Sequence, residues 1–230
     1  LTEDSGLAIG TVNTVGLTTS GNITLTINGT VTQDQIVAAA GLELLGNNGT
    51  YTLTNTGNTI TTLAGNTKII SFAGNSGFAI GTVNTAGLTT SGNTTLSSTG
   101  TVTQSAAITA AGLELLGSGG IYTLTNTSNA ITTLAGNTGT VSLAEGSGFA
   151  IGTVNTIGLR TSGNTTLNVN GTVTQSNLIN VAGLELLGNN GTYTLTNSSN
   201  AVTTLAGNTK IVSLTEDSGL AIGTVNTVGL

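Results

Sequence analysis

The chain has no cysteine and no histidine. Without cysteine there is no disulfide framework and no thiolate metal site. Without either residue, the commonest general base, nucleophile and transition-metal ligands are missing. Basic residues are nearly absent too: Lys68, Arg160 and Lys210 are the only ones, and the net charge is −6. Nucleic-acid binding needs clustered Lys and Arg to release counterions, so it is excluded as a function. Attachment to anionic lipid through a basic patch fails for the same reason. Aromatic residues make up 3% of the chain, so any core must be aliphatic and thin. Proline is absent, which removes the commonest strand breaker. No apolar run is long enough to span a bilayer; the best, residues 36–45, contains Glu43. No N-terminal signal pattern is visible, and the chain opens in mid-pattern, so a signal would belong to an upstream part.

What is present is repetition. SGLAIGTVNTVGL at residues 5–17 returns, with small changes and at one constant interval, at 76–88, 147–159 and 218–230. GLELLG begins at Gly41, Gly112 and Gly183, and YTLTN at Tyr51, Tyr122 and Tyr193. The repeats are thus 5–75, 76–146 and 147–217, with a partial repeat at 218–230 and residues 1–4 ending a preceding one. A fixed period implies one structural unit stacked many times, a single continuous solenoid across 1–230. Residues 1–17 are identical to 214–230. A higher-order unit of three repeats is therefore expected, with the chain a segment of a longer array.

Within a repeat, short pieces alternate apolar and polar residues. Ile23, Leu25 and Ile27 share one face, as do Tyr51 and Leu53, and Ile70 and Phe72; such alternation marks strands with one buried side. Gly/Asn clusters separate them, and both residues suit tight corners. Residues 36–45 (IVAAAGLELL) offer the one helical alternative, but Gly41 interrupts them and strand is preferred. The expected fold is all-β, a right-handed parallel β-helix of 71-residue repeats. About three turns per repeat are expected, starting near Gly16, Gly41 and Thr67, with four possible. Three turns would raise the chain about 14 Å per repeat.

Comparison of the repeats separates core from surface. Ile60, Ile131 and Val202 interchange only among apolar types, as do Ile70, Val141 and Val212, and Phe72, Leu143 and Leu214. The predicted core therefore includes Leu53, Tyr51, Tyr122, Tyr193, Ile60, Ile70 and Phe72. The tyrosines should lie in line along the axis, one repeat apart. Asn58, Asn129 and Asn200, and likewise Asn66, Asn137 and Asn208, are expected at corners, with inward amides satisfying backbone groups.

Candidates for chemistry are few. Glu43, Glu114 and Glu185 are the acidic residues that recur in every repeat. As a row of sugar- or ion-binding carboxylates they would lie too far apart for the carboxylate pair of a glycosidase, so an outward, solvated Glu is expected. Glu3-Asp4 and Glu216-Asp217 could touch calcium, but the cation needs six to eight oxygens. The phosphate-loop pattern GxxxxGK[ST] is missing. TxT pieces are too intermittent for an ice-binding array, and the nine N-x-[ST] triplets are what an Asn- and Thr-rich chain produces. No catalytic, cofactor-binding or metal-binding residue is assigned, and no cofactor is expected.

The phrases GTVTQ at 29–33, 100–104 and 171–175, then GLELLG, then YTLTN and TTLAGNT, resemble the repeat region of bacterial filamentous-haemagglutinin-like large exoproteins of two-partner secretion systems. The resemblance covers essentially the whole chain. It implies a right-handed β-helical shaft, secreted or held at the bacterial cell surface, and it carries over no catalytic residue. The expected function is the structural shaft of an adhesin or extracellular filament. Its partners would be itself, end to end or as one giant chain, and host-cell or neighbouring-cell glycans or receptors, with no membrane insertion. The rivals are a glycan- or ice-binding solenoid, a polysaccharide-degrading β-helix enzyme, and a cross-β polymer of separate chains.

Overall fold

A computed structural model describes residues 1–226. Among them the fold is all-β, with parallel strands wound into a solenoid of about 11 turns and no helix. The 19 strands belong to one continuous sheet, and every named strand pairing is parallel. Each turn therefore bonds its backbone to the turns on either side. A low-charge chain rich in Thr, Val, Ile and Leu, with no proline, suits this ladder. The segment 36–45 contributes to the long strand Val37–Leu53, not to a helix. Gly41 has no room for a side chain: a Cβ there would sit 2.6 Å from Asn22 Oδ1 and 2.9 Å from Val83 Cγ2.

One ladder column can be followed residue by residue: Leu7, Val31, Tyr51, Ile70, Thr94, Leu113, Leu134, Ile151, Gln175. Val31 reaches Gln175, two repeats further on and two positions past its own equivalent Val173, in seven steps. One repeat thus makes close to three and a half turns, not three. Tyr122 falls in a different column, with Phe78, Val102, Val141 and Thr165. Val102 lies near the middle of the turn that runs from Thr94 to Leu113, so that column is nearly half a turn round from the first. Tyr193 pairs with Val173, just before Gln175, and so returns beside the column of Tyr51. The expectation that the three tyrosines lie in line is corrected. Turns are uneven, the one from Leu63 to Ile80 being short and the one from Ile80 to Gln104 long, and the repeat is not a whole number of them.

The interior is a narrow aliphatic column. Tyr51, Tyr122, Tyr193, Leu53, Ile70 and Phe72 are all essentially inaccessible, and Ile60 is 6% exposed. Phe72 meets Phe78 edge to face at 5.1 Å, a favourable arrangement of ring quadrupoles. Thr94 and Thr165 also point inward. They pair their hydroxyls with Thr90 and Thr161 at 2.9 and 3.0 Å, so the buried polar atoms are not left unbonded.

Candidate functional site

Three internal polar arrangements recur, and each begins with a break in the ladder. At the first, the ladder between Val37–Leu53 and Thr59–Gly74 slips between Gly46 and Thr50. Gly46 takes φ 121°, a left-handed value that excludes a side chain. The Tyr51 hydroxyl fills the gap: it lies 2.6 Å from Leu45 O and 2.9 Å from Leu25 O, and accepts the Ile27 N–H at 3.2 Å. Tyr122 and Tyr193 do the same at Leu116 and Leu96, and at Leu187 and Leu167. Burial pushes the Tyr51 phenol up to about 12, so it stays a neutral donor.

At the second, Asn58 lies wholly buried at a corner. Its Nδ2 donates to Leu53 O, Ala73 O and Gln33 Oε1, while its Oδ1 accepts from Val37 N at 2.7 Å and from Gln33 Nε2. Asn129 pairs likewise with Gln104, and Asn200 with Gln175. Corner backbone groups that have lost ladder partners are thus bonded by side chains. The glutamine of GTVTQ was not singled out from the sequence, although its constant offset from the asparagine was readable. Asn66, Asn137 and Asn208 correct the other half of that expectation. They are exposed residues within strands, paired in register with Leu45, Leu116 and Leu187. The Gly before each is buried against the wall, so the alternation turns the Asn outward.

The third centres on the recurring glutamates. Leu42 and Leu44 face the core, so Glu43 does point away from it. Yet Glu43 is only 1% exposed, which corrects the expectation of a solvated carboxylate. The wall makes an excursion at 81–87, between Ile80 over Leu63 and Leu88 over Gly65. This loop folds back over Ala64 and reaches Glu43, two turns earlier. Glu43 Oε1 accepts from Thr85 N at 2.6 Å, Thr85 Oγ1 at 2.9 Å and Asn84 N at 3.1 Å. Oε2 accepts from Asn84 Nδ2 at 2.6 Å and from Thr24 Oγ1, one turn below, at 2.9 Å. Glu114 repeats the arrangement with Asn155, Thr156 and Thr95, and Glu185 accepts from Asn226 and Thr166. Desolvation raises the Glu43 carboxyl, but these donors outweigh it and hold it at about 2.

Such a carboxylate is saturated. A sugar or cation would have to displace donors already in place. Among the described residues no group of three or more His, Cys, Asp or Glu could hold a metal ion. Glu3 Oε1 accepts from Ser5 N and Oγ, and Glu216 accepts from Ser218 and Gly219 in its own turn and from Val202 N. Among the described residues, no helix is long and apolar enough to cross a membrane. No family model, curated protein or solved structure matches the chain.

Proposed function

We propose that this chain is a non-catalytic structural shaft, a length of rod in a bacterial secreted or surface-anchored adhesin or extracellular filament. One observation carries the reading: the recurring polar groups of the repeat are spent on joining its own turns. Tyr51, Asn58 and Glu43 bond between turns, and none is left as an open donor set for substrate. A continuous parallel ladder also gives a stiff object whose length grows with repeat number. The general rule for parallel crossovers makes the winding right-handed. The resemblance of GTVTQ, GLELLG and YTLTN to the filamentous-haemagglutinin-like repeat region favours an extracellular setting and two-partner export. Partners in this reading are further repeats along the axis, and glycans or receptors of other cells at the sides or tip.

Electron microscopy of chains with three, six and nine of the repeats tests it. Straight rods of constant width, lengthening by about 17 Å per added repeat, are expected. Compact or freely jointed particles would overturn the shaft. A hydrolase assay on acidic and neutral polysaccharides separates the enzyme reading; turnover abolished by substitution of a surface carboxylate would replace the proposal.

A further inference from the structure

The polar groups that recur are spent between turns, but one cluster that does not recur is left open. Asn66, Thr89 and Thr109 form a column on consecutive turns. One repeat later the same column reads Asn137, Arg160, Asn180, all three exposed. Arg160 is the one arginine of the chain, and Thr18 and Thr89 hold its place in the other repeats. Asn180 stands where Ala38 and Thr109 do. Two stacked neighbours thus change together from small side chains to long polar ones.

The corner beside them is stripped. Asn47-Asn48 of repeat one and Asn189-Asn190 of repeat three correspond to Ser118-Gly119, and Lys68 and Lys210 correspond to Gly139. Gly119 takes φ 76°, and no side chain fits at 139: a Cβ there would lie 2.6 Å from both Gly119 C and Gly120 O. What opens is a groove of about 360 Å³, lined by Ser118, Asn137, Arg160, Ser162 and Asn180 among others. Among the described residues, none of these five side chains is hydrogen-bonded or paired with a carboxylate. This is the reverse of Glu43, whose oxygens are saturated. A charge that served solubility alone would need neither a new amide beside it nor a cleared corner.

We propose that this groove binds a small organic carboxylate that also carries an amide group. The planar guanidinium of Arg160 takes both carboxylate oxygens in a parallel, charge-assisted pair. Asn137 and Asn180 flank it, one turn of about 4.8 Å to either side. Each amide can both donate and accept, so together they match a ligand amide next to the acid. The hydroxyls of Ser118 and Ser162 border the groove at the corner. Arg160 is the one cation lining it, and the chain as a whole carries −6. A monoanion is therefore favoured over phosphate or sulfate, whose second charge would go uncompensated in a repelling field. The volume suits a small molecule, such sites being roughly 300–1,000 Å³.

Titration with N-acetylglycine, followed by NMR of the full chain, tests this. A single arginine gives a single side-chain Nε–H signal, so the site reports itself. That signal and the side-chain amides of Asn137 and Asn180 should shift saturably, with a dissociation constant on the order of 1 mM. Arg160→Thr, which restores the residue of the preceding repeat, should abolish the shifts at Asn137 and Asn180 and leave the urea midpoint unchanged. Asn180→Thr should weaken binding about three- to tenfold. The uncharged N-acetylglycinamide should move nothing. Shifts that do not saturate, that persist in Arg160→Thr, or that sulfate and phosphate produce equally well would overturn the proposal. So would equal shifts at Lys68 and Lys210. None of these outcomes depends on whether the shaft reading holds.

Discussion

Loops 10–16 and 81–87 read GTVNTVG and GTVNTAG, yet one stands clear of the shaft and the other is seated on it. Their local form is the same. Thr11 bridges Val15 and Thr82 bridges Ala86 in short antiparallel contacts. Gly16 N donates to Gly10 O and Gly87 N to Gly81 O, closing the base of each. Within residues 1–230, a GLELLG strand lies two turns beneath the second. There Val83 packs half-buried beside Gly41, and Glu43 takes the Asn84 and Thr85 donors. Val12, the counterpart of Val83, is 92% exposed. The sequence of the loop sets its shape, and the neighbouring turns set its burial.

The largest effect comes from removing the frame on which either loop rests. Leu53→Asp should cost more than about 4 kcal/mol, since an unpaired charge enters an aliphatic column. Thr52→Asp, at the exposed position next to it, should move the urea midpoint little. Equal midpoints would reverse the assignment of faces.

Next comes the clamp itself. Glu114→Ala should cost about 3 kcal/mol in docking of loop 152–158, because charge-assisted bonds to two backbone N–H groups and Asn155 are lost together. Hydrogen exchange gives the sharper reading. The amides of Asn155 and Thr156 should become as fast as those of Asn13 and Thr14, which have no clamp, while the ladder stays protected. Unchanged protection in the variant would mean that the loop holds itself.

Protonation should act more gently on the same bonds. The Glu43 carboxyl is held at about 2 in the folded chain, below its ordinary range. Its contribution is therefore complete above the unfolded value near 4.5 and fades as pH falls toward 2. Urea midpoints between pH 6 and 2 should drop over that window, and drop less in Glu43→Gln. The smallest effect separates the two valines: Val83→Ala should cost about 1 kcal/mol, and Val12→Ala nothing measurable in the same denaturant assay.

Much of this was legible in the sequence. Alternation around Ile23, Leu25 and Ile27 and around Tyr51 and Leu53 marks inward faces because strand period is a local property. The outward direction of Glu43 was readable for the same reason. Its burial was not, because the cover comes from a loop two turns away, and period says nothing about what lies outside a wall. Asn58 and Asn66 look alike as Gly/Asn punctuation. Only the ladder shows that one closes a corner and the other lies within a strand. The number of turns per repeat was hidden because short and long turns coexist, the turn from Ile80 to Gln104 being lengthened by the loop 81–87.

The absence of cysteine makes the decisive distance measurement simple. Spin labels at Asn47→Cys, Ser118→Cys and Asn189→Cys occupy equivalent exposed corners of the three repeats. Pulsed dipolar spectroscopy should give a narrow separation of about 34 Å between 47 and 189, seven turns apart on one side of the shaft. The distance from 47 to 118 should exceed its axial part of about 17 Å, because it crosses to the other side. About 29 Å and 14 Å, in line on one face, would restore three turns per repeat; a broad distribution for 47–189 would contradict the rigid ladder altogether.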